Sequence, residues 1–435
     1  MATDIKKVLY ELLTVDEKAR VCKDIPEEAF RHQPRNFLTH VVSLAGTKLG
    51  DGLADPKLVL AWLLGALGAP AATIGLLVPL RESLALLPQL LIAPRIRAVA
   101  RRKWVWVFGS AVQGLAVLAM GAVALTLDGA AAGCSIVGLL VIFALARSCC
   151  SVSYKVVLGK TVDKGQRGTA TGTAGSIAAS LVLLFGALLS FGILPLTTAA
   201  IAIVLLIAGA IWIAAGTLFS TLKEEAGASD VGQGLAAVLS QFSYLRDDPD
   251  LRRFLLTRGL LIATALAPPF MLALAGEGGE RQIDALGPFV IASALAGMTG
   301  SYVWGRLADR SSRQVLMLAA LIGALATGGV AIAAWLGLVT SSWSLIMPAA
   351  LFVLMLAHQG VRLGRSTHLV DMANEDSRAA YTALSNTIIG VVLLAGGVFG
   401  LVAEVIGYAG VLGLFALMCL AAMAAAASLS EVQEG

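Results

Sequence analysis

Apolar runs of about 20 residues recur along almost the whole chain, and a helix of that length crosses the hydrocarbon core of a bilayer. Such a chain can fold only as helices, because lipid offers no partner for an unpaired backbone N–H or C=O. Composition agrees: of 435 residues, 58% are hydrophobic and only 14% are charged, against about 25% charged in a soluble domain. Mean hydropathy is +0.84. With 46 glycines and 6% aromatics, the helices should pack through small residues.

About twelve spans can be drawn on this basis. They cover 37–67, 71–93, 104–127, 135–158, 169–194, 196–221, 254–275, 285–304, 315–339, 343–363, 379–403 and 406–429. The expected organisation is a cytoplasmic segment 1–36, a helical bundle 37–221, a linker 222–253, a second bundle 254–429 and a tail 430–435. The linker holds an amphipathic stretch, 235–245, suited to the membrane surface.

Lysine and arginine concentrate in alternate loops: Arg95, Arg97, Arg101, Arg102 and Lys103, then Lys160, Lys164 and Arg167, then Arg252 and Arg253, then Arg306, Arg310 and Arg313, then Arg365 and Arg378. The opposite loops carry Arg281. Positive loops stay inside, so both termini and the linker are expected in the cytoplasm of a multi-pass protein of the inner (plasma) membrane. The halves also repeat. PRIRAVARRK from Pro94 aligns with GRLADRSSRQ from Gly305, and KTVDKGQRGTATG from Lys160 with DMANEDSRAAYTA from Asp371, both at an offset of 211 residues. A parallel repeat of this kind is a transporter plan with the site between the halves.

Charges inside spans mark the candidate pathway, since each costs at least ~2.5–3.5 kcal/mol at the bilayer centre. Lys48, Asp51 and Asp55 fall at i, i+3 and i+7 on one face of the first span, with Lys57 offset from it. Arg81 and Glu82 sit mid-way along the second, beside Pro79. Arg81 can pair with Asp51 or Asp55, and Lys48 with Glu82. Such pairs form a neutralised structural network, or a proton-coupling group that releases its cation on protonation, or a set of charges that binds the substrate directly without protons. Arg147 and Ser151 in the fourth span, and His358 and Arg362 in the tenth, are i, i+4 pairs related by the same offset. Arginines from both halves suit an anionic or zwitterionic solute, with His358 an alternative proton carrier. Arg258 and Arg365 are placed to snorkel toward the interface. Pro268-Pro269 is a candidate flexing point. Gly168, Gly172 and Gly175 suit close helix packing, and Cys149-Cys150 reads as buried small hydrophobes.

GRLADRSSR at Gly305–Arg313, with Gly305, Asp309, Arg310 and Arg313, resembles the G-x-x-x-D-R-x-x-R loop of the major facilitator superfamily. Arg167-Gly168 is similar to that family's arginine-bearing loop after the fourth span. The resemblance covers roughly 37–429. It implies two pseudo-symmetric six-helix bundles, outer scaffold spans free of charge (the third, sixth, ninth and twelfth), alternating access, and a monomer that suffices. It also implies a gating role for the Gly305–Arg313 loop. Two departures stand. The loop's aspartate and glycine positions fall in the first half on Ala98 and Pro94, and the fifth span lacks the Gly-Pro pattern of proton-coupled drug antiporters.

The expected activity is therefore secondary transport of a small solute, with protons as a candidate coupling ion. The alternatives are a non-transporting receptor or assembly factor on the same fold, and a drug or metabolite exporter. No GxxxxGK[ST] loop, CxxC pair or HExxH motif occurs, so no cofactor, metal or enzyme chemistry is expected. There is no basic stripe with interleaved aromatics for nucleic acid.

Overall fold

A computed structural model describes residues 32–226, 242–276, 286–338, 343–373 and 378–433. Among these residues the protein is helical throughout. The segment before residue 32, most of the linker with its expected amphipathic stretch, and Arg281 lie outside the described residues. Sixteen helices follow in order. They are α1 Gln33–Leu53, α2 Val59–Ala66, α3 Ala71–Leu86, α4 Gln89–Arg97, α5 Lys103–Thr126, α6 Gly129–Thr161, α7 Lys164–Ser190 and α8 Thr198–Ser220. After the linker come α9 Ser243–Asp247, α10 Pro249–Leu260, α11 Ala263–Gly276, α12 Leu286–Arg310, α13 Ser312–Trp335, α14 Trp343–Met372, α15 Arg378–Ala395 and α16 Val398–Ala427.

Local sequence sets many of these starts. Asp163, Thr197, Asp248 and Ser311 each accept a backbone N–H of the helix that follows, and Pro249 occupies the first turn of α10, where its missing N–H costs nothing. Arg167 closes the other end of α6, donating to the carbonyls of Gly159 at 2.7 Å and Val162 at 3.0 Å, where a cation meets the negative end of the helix dipole.

Nine stretches among the described residues are long and apolar enough to cross a membrane. Phe108, Leu115, Ile203, Leu325, Ile332 and Leu417 stand exposed on their outer faces, the side chains a lipid environment would cover. The protein is thus an all-α polytopic membrane protein. Three expected spans fall outside the nine for visible reasons. The first is charged and divides into α1 and α2 at 54–58. The second divides into α3 and α4 around Pro88, and the eleventh stops at Ala395 before the chain resumes in α16. Within α16, Gly407 at φ 74° interrupts the helix, a left-handed conformation that glycine adopts freely. That break falls one residue inside the twelfth span drawn from the sequence, 406–429.

Packing repeats with the sequence. α5 packs on α6 and α8, and its counterpart α13 packs on α14 and α16. The pairs α3–α6 and α12–α14, α1–α7 and α10–α15, and α1–α8 and α10–α16 follow the same rule. The larger contacts across the halves are α3 with α15 and α16, and α7 with α12; α11 also meets α2 and α3. They are close. A Cβ on Gly75 would fall on the backbone of Gly400, and one on Gly400 would stand 3.0 Å from Ala72 Cα. A Cβ on Gly287 would stand 2.7 Å from the backbone nitrogen of Ser190. All these positions lie at the end of the helices remote from the basic loops.

Candidate functional site

The break in the first span is built by its own sequence. Pro56 has no N–H to give, and Asp55 Oδ1 accepts from the backbone nitrogens of Lys57 at 2.7 Å and Leu58 at 3.1 Å. An aspartate bonding to its own chain two and three residues on is a turn-forming contact. It ends one helical segment and starts α2 with its amides satisfied. The turn also swings Lys57 off the periodicity of α1 and into the centre of the molecule.

A cavity of about 380 Å³ lies between the halves. Its lining comes from α1, the 54–58 turn, α3, α6, α10, the turn before α11, α11, α14 and α15. No lining residue belongs to α5, α8, α13 or α16, which are the charge-poor outer helices. The cavity meets Asp51, Asp55, Lys57, Arg81, Glu82, Arg147, Arg258, His358, Arg362 and Arg365, with apolar ground from Leu86, Leu261, Ile262, Ile389 and Leu393.

Asp51 is the hub of the first-half wall. It accepts from Arg81 Nη2 at 3.0 Å and pairs with Arg147 Nη1 at 2.5 Å. Arg81 also lies over the Phe143 ring, 5.2 Å from its centroid, a cation–π contact. The expected Arg81–Asp51 pair therefore forms, while Arg147 joins it instead of standing free. Lys48 does not reach Glu82. Its ammonium donates to the Thr171 carbonyl of α7 at 3.4 Å, beside Gly175, so it lies behind the cavity wall. Gly168 and Gly172, expected at close packing, have open space where a Cβ would stand. Glu82 lies in the field of Arg81, Lys57, Arg362 and Arg365, without a direct ion pair among the described residues.

The second-half wall departs further from the sequence reading. Arg258 and Arg365 were expected to snorkel; both line the cavity. Arg258 is 8% exposed, donates to Ser385 Oγ, and reaches Asn386 Oδ1 at 3.0 Å. His358 is held from both sides. Lys57 Nζ approaches its Nε2 at 3.4 Å, and its Nδ1 lies 3.0 Å from Thr264 Oγ1, which donates to the Leu261 carbonyl at 2.9 Å. That carbonyl belongs to the turn between α10 and α11. Pro268 and Pro269 sit inside α11. The carbonyls their rings crowd, those of Thr264 and Ala265, also lie inside α11, so the expected flexing point at the prolines and the observed break at 261–262 are different places.

Two further expectations concern residues away from the cavity. Gly305 and Arg310 close α12 as helix, not loop, and Arg306 lies over the Tyr302 ring; the Asp309 side chain lies outside the description. Arg313 donates to the Leu429 carbonyl at 3.2 Å and lies 3.6 Å from Glu431. Cys150 is buried, with Gln113 Nε2 at 3.2 Å and Trp106 O at 3.5 Å from its sulfur. Among the described residues no cluster of three metal-ligating side chains occurs.

Lys57, Thr264, Arg258 and Arg365 are the site residues that sequence reasoning missed. The Asp55-Pro56 pair was the available signal for Lys57, because a turn-forming aspartate before proline re-aims the residue that follows.

No protein-family profile matches the chain, and no curated protein matches it. Solved structures do. The nucleoside transporter NupG aligns over 90% of this chain and 99% of its own, at 14% identity and TM-score 0.64. A POT family transporter in complex with 5-aminolevulinic acid aligns over 93% and 98%, at 9% identity and TM-score 0.70. A bacterial homologue of the human lysosomal transporter Spinster, in an inward-facing and unoccupied conformation, aligns over 92% and 98%, at 13% identity and TM-score 0.61. The chain has the fold of these polytopic transporters.

Proposed function

We propose that this protein is a secondary active transporter of major facilitator type, moving a small anionic or zwitterionic solute by alternating access with protons as the coupling ion. About twelve spans would form two bundles of six, 37–221 and 254–429. The basic loops put the linker and both termini in the cytoplasm of the inner membrane. The observation that carries the reading is a cationic cavity on the boundary between repeated halves. The tight glycine contacts of Gly75 with Gly400, and of Gly186 with Gly287, lie at one end of it. Its lining runs along α3 to Leu86 and along α14 to Arg365 toward the other. Shared fold with proteins described as transporters supports the activity.

Coupling is proposed at His358. With Lys57 an ammonium, Nε2 is an acceptor, so Nδ1 carries the proton and points it at Thr264. A proton added at Nε2 would turn the acceptor into a second cation facing Lys57, with Arg362 and Arg365 also near. The contact across the halves would part, and Lys57 would turn to Glu82 or Asp55. A single proton thus biases a two-state element. The Gly305–Arg313 segment is proposed to set the balance between states at the cytoplasmic end.

The ion-paired hub at Asp51 also favours a second reading, a receptor or assembly factor that moves nothing. Uptake separates the two. Proteoliposomes with an imposed pH gradient, offered pooled labelled organic anions and zwitterions, should accumulate at least one pool above protein-free vesicles. Folded protein that accumulates none would leave the receptor reading.

A further inference from the structure

The charges of the cavity are divided unequally between its two walls. All three lining carboxylates, Asp51, Asp55 and Glu82, come from the first half. The second half contributes Arg258, Arg362 and Arg365, with no carboxylate among the lining residues. Two of the three first-half acids are already engaged: Asp51 holds two arginines and Asp55 closes the backbone turn. Glu82 stands in the field of Arg81, Lys57, Arg362 and Arg365 without a direct ion pair among the described residues.

Arg258 makes the imbalance plain. It is buried, fixed in place by neutral Ser385 and Asn386, and its Nε has no hydrogen-bond partner among the described residues. The charged neighbour it faces is Arg365, another cation. A buried charge without a counter-ion is costly, and a guanidinium on a cavity wall is suited to carboxylate or phosphate oxygens. Counting the lining, six cations face three carboxylates. A zwitterion or a monoanion would leave most of that excess standing.

We infer that the cavity takes a small organic dianion, a dicarboxylate or a phosphate monoester, whose negative groups lie against Arg258 and Arg365 of the second half. The inference rests on the transport reading of the same cavity and narrows its substrate class. The apolar ground of Leu261, Ile262, Ile389 and Leu393 would meet the organic body. The volume of about 380 Å³ is at the scale of a small-molecule site.

The test uses the purified full chain in detergent, with thermal unfolding followed against succinate, glycerol 3-phosphate, lactate and alanine at matched ionic strength. A concentration-dependent rise in Tm with succinate or glycerol 3-phosphate, absent with lactate and alanine, is expected; which of the two acts separates carboxylate from phosphate. Arg365→Gln should weaken that response roughly 10- to 100-fold, and Arg258→Gln serves if the first variant does not fold. Equal shifts with lactate or alanine, or no shift with either dianion, would overturn the inference. Uptake of the same four probes into proteoliposomes keeps the two readings apart. A dianion that binds and is never taken up overturns transport alone. Uptake of lactate or alanine without either dianion supports transport and overturns the dianion.

Discussion

Lys57 and His358 meet across the cavity at 3.4 Å, one from each half of the molecule. From His358 the chain of contacts continues through Thr264 to the Leu261 carbonyl, so a single line of polar groups joins the turn in the first span to the turn in the seventh. Each of those turns frees backbone groups that a continuous helix would have consumed, which is why irregular backbone at membrane depth is found where it lines a cavity.

With Lys57 as an ammonium donor, that geometry selects one tautomer. The chain has four histidines, so 15N spectra of histidine-labelled protein, assigned with His358→Gln, can resolve it. At neutral pH the His358 signal should be that of a neutral ring protonated at Nδ1. Thr264→Val should shift the signal by removing the Nδ1 partner. A ring protonated at Nε2 would contradict the Lys57 contact.

Asp51 should be the most sensitive single position for stability. Asp51→Asn leaves Arg81 and Arg147 facing each other with their shared anion gone, and breaking a buried pair in this way costs about 2–3 kcal/mol when part of the site is solvated. A combined Asp51→Asn, Arg147→Gln variant removes one of the stranded cations and should recover part of the loss. The double-mutant cycle in thermal unfolding reads the coupling; additive losses would mean that the hub is not an energetic unit.

Asp55 is given a structural task by its two backbone contacts, and the prediction follows from its chemistry as an acceptor. Asp55→Asn keeps a side-chain oxygen for the Lys57 and Leu58 amides and should be mild. Asp55→Ala removes it and should cost about 1–2 kcal/mol. Equal effects of the two changes on thermal unfolding would assign the role to charge rather than to the turn.

Gly75 and Gly400 meet at the end remote from the basic loops, where neither tolerates a Cβ without displacement. Gly75→Val should overpack that contact by about 1–3 kcal/mol and shift the population toward states open there. A cysteine at Leu76 in a cysteine-free background should then label faster with a membrane-impermeant maleimide. Unchanged labelling would show that the contact does not seal that end.

Much of this was legible in the sequence, for physical reasons that also mark where legibility stopped. Charge in an apolar run is costly enough that its location predicts the cavity, and Asp51, Arg81, Glu82, Arg147, His358 and Arg362 do line it. The 211-residue offset predicted the matched packing, since α6 and α14 end at positions related by that offset, Thr161 and Met372. Partner choice was harder. Periodicity assumes a continuous helix, and the turn at Asp55-Pro56 cancels it, bringing in the set-aside Lys57 while Lys48 turns to Thr171. Arg258 and Arg365 were read as snorkelling because their depth in the helix allows it; the cavity between the halves offers them a nearer polar space.

Proton movement is the measurement that bears most directly on the whole account. Proteoliposomes carrying an internal pH dye would be challenged with succinate and with glycerol 3-phosphate, comparing the native protein with His358→Gln. The account predicts a solute-dependent proton flux in the native protein and its loss in the variant while solute binding persists. Solute uptake with no proton flux, or a flux unchanged in His358→Gln, would contradict coupling through the Lys57–His358 contact.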